Sequence, residues 1–334
     1  MLIISTSISG SGRKEFLNEF EAVAARYGKK VKIYHVGQMI FDQANKVGVN
    51  ITHENVLNAN PYLINSLRSA VFETIIAELP RTLKAYDAVI INIHSFFFWK
   101  KIFMRAYDRF YVNELNPDMF VTFIDDTAAI QQRLNKRIQW ASQKLSSEEL
   151  LLWQNVEVEV TASWAEFHRK DFYVMSVRQP MHGLYRLLFK KNIEPVYISM
   201  PMTHLPPEDQ LKVSKFVKKL ENYFVVFDPR TIEIATASAR KADATTYNQT
   251  VTRDLYWLVK QSRKIIAYFP RLVSSPGAIN ELREGYETNK DVWIVYPQKL
   301  ASPFLTYFSS RIFKSENEFF KFLGQHHKKH KLYE

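Results

Sequence analysis

Short apolar runs recur along the chain, and most lead into a segment with helical spacing of its apolar residues. In the N-terminal half they are Leu2–Ser5, Val31–Val36, Ala88–Ile93, Met119–Ile124 and Phe172–Val177, and in the C-terminal half Val196–Met200, Ile265–Phe269 and Val292–Tyr296. Each is too short for a core helix, and a continuous rather than alternating apolar run marks a strand buried on both faces, as in parallel sheets. The intervening stretches predict helices from about Arg13 to Tyr27, near 128–145 and 147–169, and up to Phe189. Strand–helix alternation of this kind predicts an α/β fold. A chain of 334 residues suits two domains better than one. The polar stretch Lys190-Lys191-Asn192-Ile193-Glu194-Pro195 is the natural linker, giving expected domains 1–192 and 193–334.

The stretch 251–296 carries the most chemistry. It reads as helix, strand, loop, helix, strand, a β-α-β unit whose two strands are parallel. Asp254 opens the first helix, with Leu255, Leu258, Val259 and Ser262 on one face. Ser275 can cap the second helix ahead of Pro276, and Ile279, Leu282 and Tyr286 give that helix its apolar stripe. A helix start at the end of a buried strand offers unpaired N–H groups to an anion, and Gly277 permits close approach to the backbone. Glu281, farther along the helix, could then face the sugar of a bound ligand. By spacing alone, Asp254 equally reads as a helix-opening charge and Glu281 as a solvated one.

These residues resemble the nucleoside 2-deoxyribosyltransferase superfamily, especially its deoxynucleoside 5'-monophosphate N-glycosidases. The likeness rests on Asp254-Leu255-x-Trp257-Leu258, the strand Ile265–Phe269 and Ser275-x-Gly277-x-x-x-Glu281-Leu282. Upstream, Tyr197-Ile198-Ser199-Met200-Pro201 resembles the family's opening strand and loop, and Asp228-Pro229 the end of its second strand. It spans about residues 194–325 and implies a Rossmann-like, flavodoxin-like sheet. It also implies Glu281 as nucleophile, Asp254 as catalytic helper, and Tyr197, Ser199, Asp228, Ser275 and Gly277 as substrate contacts. Where transferases of free nucleosides tend to carry an Asp, six residues before the Glu, this chain has Ser275. A hydroxyl at a helix start accepts a 5'-phosphate that a carboxylate would repel.

The first strand is followed by Ser7-Ile8-Ser9-Gly10-Ser11-Gly12-Arg13-Lys14 and a helix, the layout of a phosphate-binding P-loop. A full motif has Gly where Ser7 stands, Lys where Arg13 stands and Ser or Thr where Lys14 stands. Over about residues 1–190 the order of elements resembles archaeal-type adenylate kinases and related P-loop nucleoside monophosphate kinases. That likeness implies possible nucleotide contacts from Gly10, Gly12, Arg13, Lys14, Arg133 and Arg137. The third strand ends in Asn92-Ile93-His94, without the acidic residue that helps hold magnesium in that family. The expectation is therefore a degenerate kinase-like domain. Phe96-Phe97-Phe98-Trp99 reads as core or subunit interface, and the small, polar stretch 235–250 as a loop covering the site ahead of Asp254.

Composition narrows the partners. The net charge of +11 favours anionic ligands. No nucleic-acid-binding motif accompanies it, which points to small phosphorylated molecules. Part of the charge lies in His326-His327-Lys328-Lys329-His330-Lys331, expected to be a frayed, solvated end. With no cysteine, disulfides and thiol chemistry are excluded, which fits a cytoplasmic protein. No apolar run reaches the ~18–20 residues of a membrane span, and no signal peptide is expected. The leading expectation is hydrolysis of the base–sugar bond of a nucleoside 5'-monophosphate, without metal or cofactor, by a homo-oligomeric protein. The alternatives are base transfer to a second acceptor, nucleotide binding without turnover, and phosphoryl transfer by the first domain.

Overall fold

The computed structural model describes residues 1–201, 205–232, 251, 253–271, 273, 275–297 and 303–333. The chain divides into two compact units, the first holding Met1–Val177 and the second beginning at Arg178. In the first, the apolar runs become β1 (Leu2–Thr6), β2 (Val31–His35), β3 (Ala88–Asn92), β6 (Met119–Ile124) and β7 (Asp171–Ser176). They form a parallel sheet in the order β2-β3-β1-β6-β7, with Ile4 beside Ile91 on one side and Phe120 on the other. The antiparallel hairpin of β4 (Phe96–Trp99) and β5 (Ile102–Arg105) stands apart from it.

Helices α1 (Arg13–Arg26), α2 (Val36–Lys46), α3 (Pro61–Ala85), α4 (Arg109–Leu115), α5 (Thr127–Asn135), α6 (Ile138–Ala141) and α7 (Ser147–His168) complete this unit. The Phe-Phe-Phe-Trp run builds core: Phe98 and Trp99 are buried, Phe98 near Trp153 and Trp99 edge-on to Trp140. Glu157 of α7 fastens the start of the hairpin, accepting hydrogen bonds from Ser95 N and Ser95 Oγ and from Phe96 N.

The second unit takes in α8 (Met181–Phe189), β8 (Pro195–Ser199), α9 (Pro207–Leu220), β9 (Val225–Phe227), the π-helix Arg253–Val259, β10 (Lys264–Tyr268) and α10 (Pro276–Glu287). After these come β11 (Asp291–Val295), α11 (Pro303–Tyr307), β12 (Arg311–Phe313) and α12 (Glu316–His326). Among the described residues its five strands are all parallel, in the order β12-β11-β10-β8-β9. Numbered within the unit this is 2-1-3-4-5, a doubly wound sheet whose chain reverses direction across the sheet between β8 and β10. That crevice, at the carboxyl ends of the strands, is where such sheets bind ligands. No helix among the described residues is long and apolar enough to cross a membrane.

The division between the units falls before α8, earlier than the expected 192/193. The reason is Arg186 of α8, fully buried, whose guanidinium donates to Glu221 O and Phe224 O of the second unit. The same side chain corrects the expectation of a frayed C-terminus. It also donates to Lys331 O and Leu332 O, while His330 N donates to Asn222 O and Tyr333 packs edge-on to Tyr185. The basic tail is therefore docked by its backbone.

Helix α10 lies close over the sheet because Gly285 has no side chain there. A Cβ would meet Ile265 Cγ1 at 2.6 Å and Val292 Cγ2 at 3.1 Å, both in fully buried residues. Gly285→Ala gains about 1 kcal/mol of helix propensity but overpacks the core at a cost of roughly 1–3 kcal/mol. We expect a net loss of up to about 2 kcal/mol, read as a lowered urea midpoint for the second unit. An unchanged or raised midpoint would show that α10 retreats from the sheet at no cost.

Candidate active site

Strand β8 and helix α10 meet at the crevice. Alternate residues of a strand share a face, so Tyr197 and Ser199 point together, and both are fully buried. Ser275 caps α10, its Oγ accepting from Ala278 N at 3.3 Å, with Pro276 as the first helical residue. This places Glu281 in the second turn, facing inward and only 6% exposed, so it is not a solvated helix charge. Ser199 Oγ donates to Glu281 Oε2 at 2.5 Å. The Tyr197 hydroxyl faces the same carboxyl in a geometry that falls short of a full hydrogen bond.

Electrostatics ties the remaining acids to this point. Burial pushes the Glu281 carboxyl up to about 7, while the Ser199 and Tyr197 hydroxyls pull it back. The Tyr197 phenol is raised well above its ordinary range, first by burial and then by the charges of Glu281, Asp254 and Asp228. Three carboxylates from three separate elements thus act on one buried hydroxyl. Asp254 sits half-buried near the start of the π-helix. Asp228 ends the β9 strand, where its carboxylate caps a short 3₁₀ turn through Arg230 N and pairs with the Arg230 guanidinium at 2.6 Å. Its charge is therefore balanced within the protein, and its influence on the site is through the field rather than a free carboxylate.

At the mouth, a Cβ on Gly277 would meet nothing within 4 Å. Among the described residues, packing therefore does not demand glycine at the first turn of α10. The stretch 235–250, expected to cover the site, lies outside the described residues. One neighbour escaped the sequence reading: Arg253, buried beside Asp254, has its guanidinium 5.3 Å from the centre of the Trp257 ring. The signal for it was there, an Arg and an aromatic four residues apart on a helix.

The P-loop-like segment of the first unit is arranged differently. Gly10 and Gly12 both take left-handed backbone conformations, at φ 79° and 83°. Arg13 turns inward beneath the loop, its Nη1 donating to Ser5 O at 2.9 Å and Ile93 O at 2.5 Å. Burial pulls it down to about 9, against the opposing charge of Glu157. Arg133 donates to Gly10 O and pairs with Asp125 at 2.7 Å. Its Cζ lies 3.3 Å from where a Gly12 Cβ would be. Asn92, in the position of the expected acid, donates its amide to His35 Nδ1 at 2.7 Å. Of the residues expected to hold nucleotide here, Arg13 and Arg133 are thus taken up by the protein itself, while Lys14 and Arg137 line an open cavity. Compared with models of known protein families and with curated proteins, the chain matches none.

The raised Glu281 carboxyl makes stability depend on pH. Between about 4.5 and 7 the folded chain keeps a proton that the unfolded chain has released, so this contribution to stability falls as pH rises through that window. The full drop is on the order of 3–4 kcal/mol, from 1.36 kcal/mol per pKa unit. Glu157 in the first unit is raised to about 7, again first by burial, and acts with the same sign. The comparison that isolates Glu281 is therefore wild type against Glu281→Gln, by urea unfolding at pH 5 and pH 7.5. We expect a shallower loss in the variant. Equal losses would mean that Glu281 titrates normally.

Proposed function

We propose that the second unit cleaves the N-glycosidic bond of a nucleoside 5'-monophosphate, with Glu281 as the nucleophile. One observation carries this reading: at the crevice between β8 and β10, a buried glutamate raised to about 7 is held by Ser199 and shares the buried Tyr197 with Asp254. A carboxyl titrating near neutrality is suited to covalent work at the pH of the cell. The resemblance of about residues 194–325 to deoxynucleoside 5'-monophosphate N-glycosidases names the same residues and points to a deoxyribose substrate.

In this mechanism a Glu281 oxygen bonds to C1' as the C1'–N bond breaks, through an oxocarbenium-like transition state. The electron pair of the broken bond leaves with the base, which gains a proton with help from Asp254. Water then attacks C1' of the glycosyl ester, releasing sugar phosphate and restoring the carboxyl. The sum is nucleotide plus water giving base plus sugar phosphate. If a second base intercepts the ester, the reaction is base transfer. The 5'-phosphate would lie on the first turn of α10, at Ser275 and Gly277. The kinase reading of the first unit has less support, because Arg13 points into the protein and Asn92 bonds His35. Phosphoryl transfer depends on exactly such positioned charge and metal contacts.

Base release from a panel of nucleotides, followed by chromatography, tests the activity. Glu281→Gln is expected to lower it by several orders of magnitude while nucleotide binding persists. Near wild-type release by the variant would remove Glu281 from the chemistry.

Substrate choice gives a second test. With the phosphate on Ser275 and the α10 start, a 5'-monophosphate is expected to be cleaved at least roughly a hundredfold faster than its free nucleoside. Ser275→Asp places like charge beside that phosphate and is expected to reverse the preference. Equal rates on the two substrates in the wild type would place the phosphate elsewhere.

A further inference from the structure

Residues 269–275 carry the chain from β10 to α10, and their placement decides where Ser275 stands. Two of the anchors here are ordinary: Phe269 N donates to Val295 O of β11, and Val273 packs against the apolar core. A third reaches farther. The Arg271 guanidinium extends to the first turn of α9, donating from Nε to Asp209 and from Nη2 to Glu208 Oε1 at 2.6 Å.

Asp209 is the informative partner, an acid in the first turn of α9 whose side chain is fully buried. A carboxylate in that position is costly unless cations meet it. Lys212, one turn along the same helix, supplies one at 2.8 Å, and Arg271 supplies the other from 62 residues away in sequence. Lys212 first, and then Arg271 against the cost of burial, hold the Asp209 carboxyl below its ordinary range, so the bridge is charged at neutral pH. Glu208 is exposed, and its contact with Arg271 is of the kind worth little in water.

The bridge lies at the end of the sheet where the crevice opens. Tyr268 is the last residue of β10, and its phenol is raised by burial, then by Glu316 and by Asp209. Strand β8 leads into α9 and β10 into α10, so Arg271 joins the helix after one strand of the switch point to the chain leaving the other. Glu281 is held by different contacts, from Ser199 and from the close approach of α10 to the sheet at Gly285. We infer that Arg271 is a positioning residue: its bridge to Asp209 fixes the start of α10 and thereby sets how well Ser275 and the helix start receive a 5'-phosphate. The nature of the ligand rests on the glycosidase reading, whereas the bridge and its hold on α10 do not. The sheet places the nucleophile and Arg271 places the phosphate subsite, so loss of the bridge weakens phosphate binding and spares the chemistry.

Two measurements on the full chain separate the bridge from its consequence. Amide exchange without ligand reads the bridge alone. Arg271→Ala and Asp209→Asn are each expected to speed exchange in residues 278–281 at least roughly tenfold, with Arg271→Lys close to wild type. Kinetics on the four common 2'-deoxynucleosides and their 5'-monophosphates read the consequence. Both single variants are expected to raise KM for the monophosphates at least roughly tenfold, with kcat held within about threefold and free nucleosides unaffected. Arg271→Lys is expected to restore most of the affinity, and the double variant Arg271→Ala, Asp209→Asn to be no worse than either single. Wild-type exchange in both single variants would overturn the bridge as a positioning device. A raised KM in Arg271→Ala but not in Asp209→Asn would do the same, because Arg271 would then touch the phosphate itself. Equal losses on nucleoside and monophosphate would reduce the bridge to general stability. If wild type released no base from any of the eight compounds, the glycosidase reading would fall and the phosphate effect with it, while faster exchange in the variants would show that the bridge itself was not at fault.

Discussion

The second unit depends on keeping one carboxyl out of water. Glu281 is nine-tenths buried and sits among apolar residues of α10 and the sheet, where an isolated charge would be expensive. What makes the position tolerable is a pair of hydroxyls on one face of β8, of which Ser199 makes a short hydrogen bond. The rest of the unit sets that geometry. Parallel pairing puts Ala267 of β10 beside Ser199 of β8, so the chain leaves β10 at the level where the hydroxyls stand. Ser275 fixes where α10 begins, and Gly285 lets it lie against Ile265 and Val292. A shift of α10 by an ångström would break the contact with Ser199. The carboxyl would then stay protonated or draw in water.

The first unit uses the same architectural position, a loop between a central strand and a helix, for a different end. Its buried charges are internal fasteners. Arg13 ties the ends of β1 and β3 together through their carbonyls, and Glu157 ties α7 to the hairpin through two N–H groups and a hydroxyl. The contrast between the two loops is physical. Among the described residues nothing comes within 4 Å of a Cβ built on Gly277, whereas at Gly12 the side chain of Arg133 fills that space. Both loops carry serine and glycine ahead of a helix, but the first is closed over by an arginine of its own unit.

Much of the framework was legible because it rests on local rules. Runs of buried β-branched and aromatic residues marked the parallel strands, and Ser275-Pro276 marked the start of α10. The likeness of short motifs brought Tyr197, Ser199, Asp254 and Glu281 to one crevice. What stayed hidden was set by partners distant in sequence. Nothing in Arg13 says that it will turn inward; the carbonyl of Ile93 decides that. Asp228 was expected as a substrate contact, yet Arg230 folds back and pairs with it. The tail reads as solvated because its side chains are charged, yet its backbone carbonyls are what Arg186 grips. The hairpin turn was missed for another reason. Lys100 and Lys101 both adopt positive φ, a conformation that Asn-Gly pairs announce and two lysines do not. The long helix α3 was passed over as well, although Asn60 and Pro61 give it an orthodox start.

The proposed chemistry couples the nucleophile to the phosphate subsite. With Glu281 poised near 7, about half of it is ionised at neutral pH before a substrate arrives. A phosphate dianion entering the crevice raises the pKa of a nearby carboxyl and so removes nucleophile when it is needed. The positive end of α10 acts against this, because it stabilises both the phosphate at its first turn and the carboxylate one turn farther in. Ser199 also acts against it, since its hydrogen bond favours the ionised form of Glu281. On this view Ser275 serves the site in two ways. As cap it fixes the helix start that carries the positive end, and as a neutral group it adds no second negative charge beside Glu281. An aspartate in its place would hold a sugar hydroxyl, but it would also push the carboxyl of Glu281 further toward its protonated form. In the proposed chemistry, the choice of residue at the cap would set both which substrate is accepted and how much of the nucleophile is ready to react.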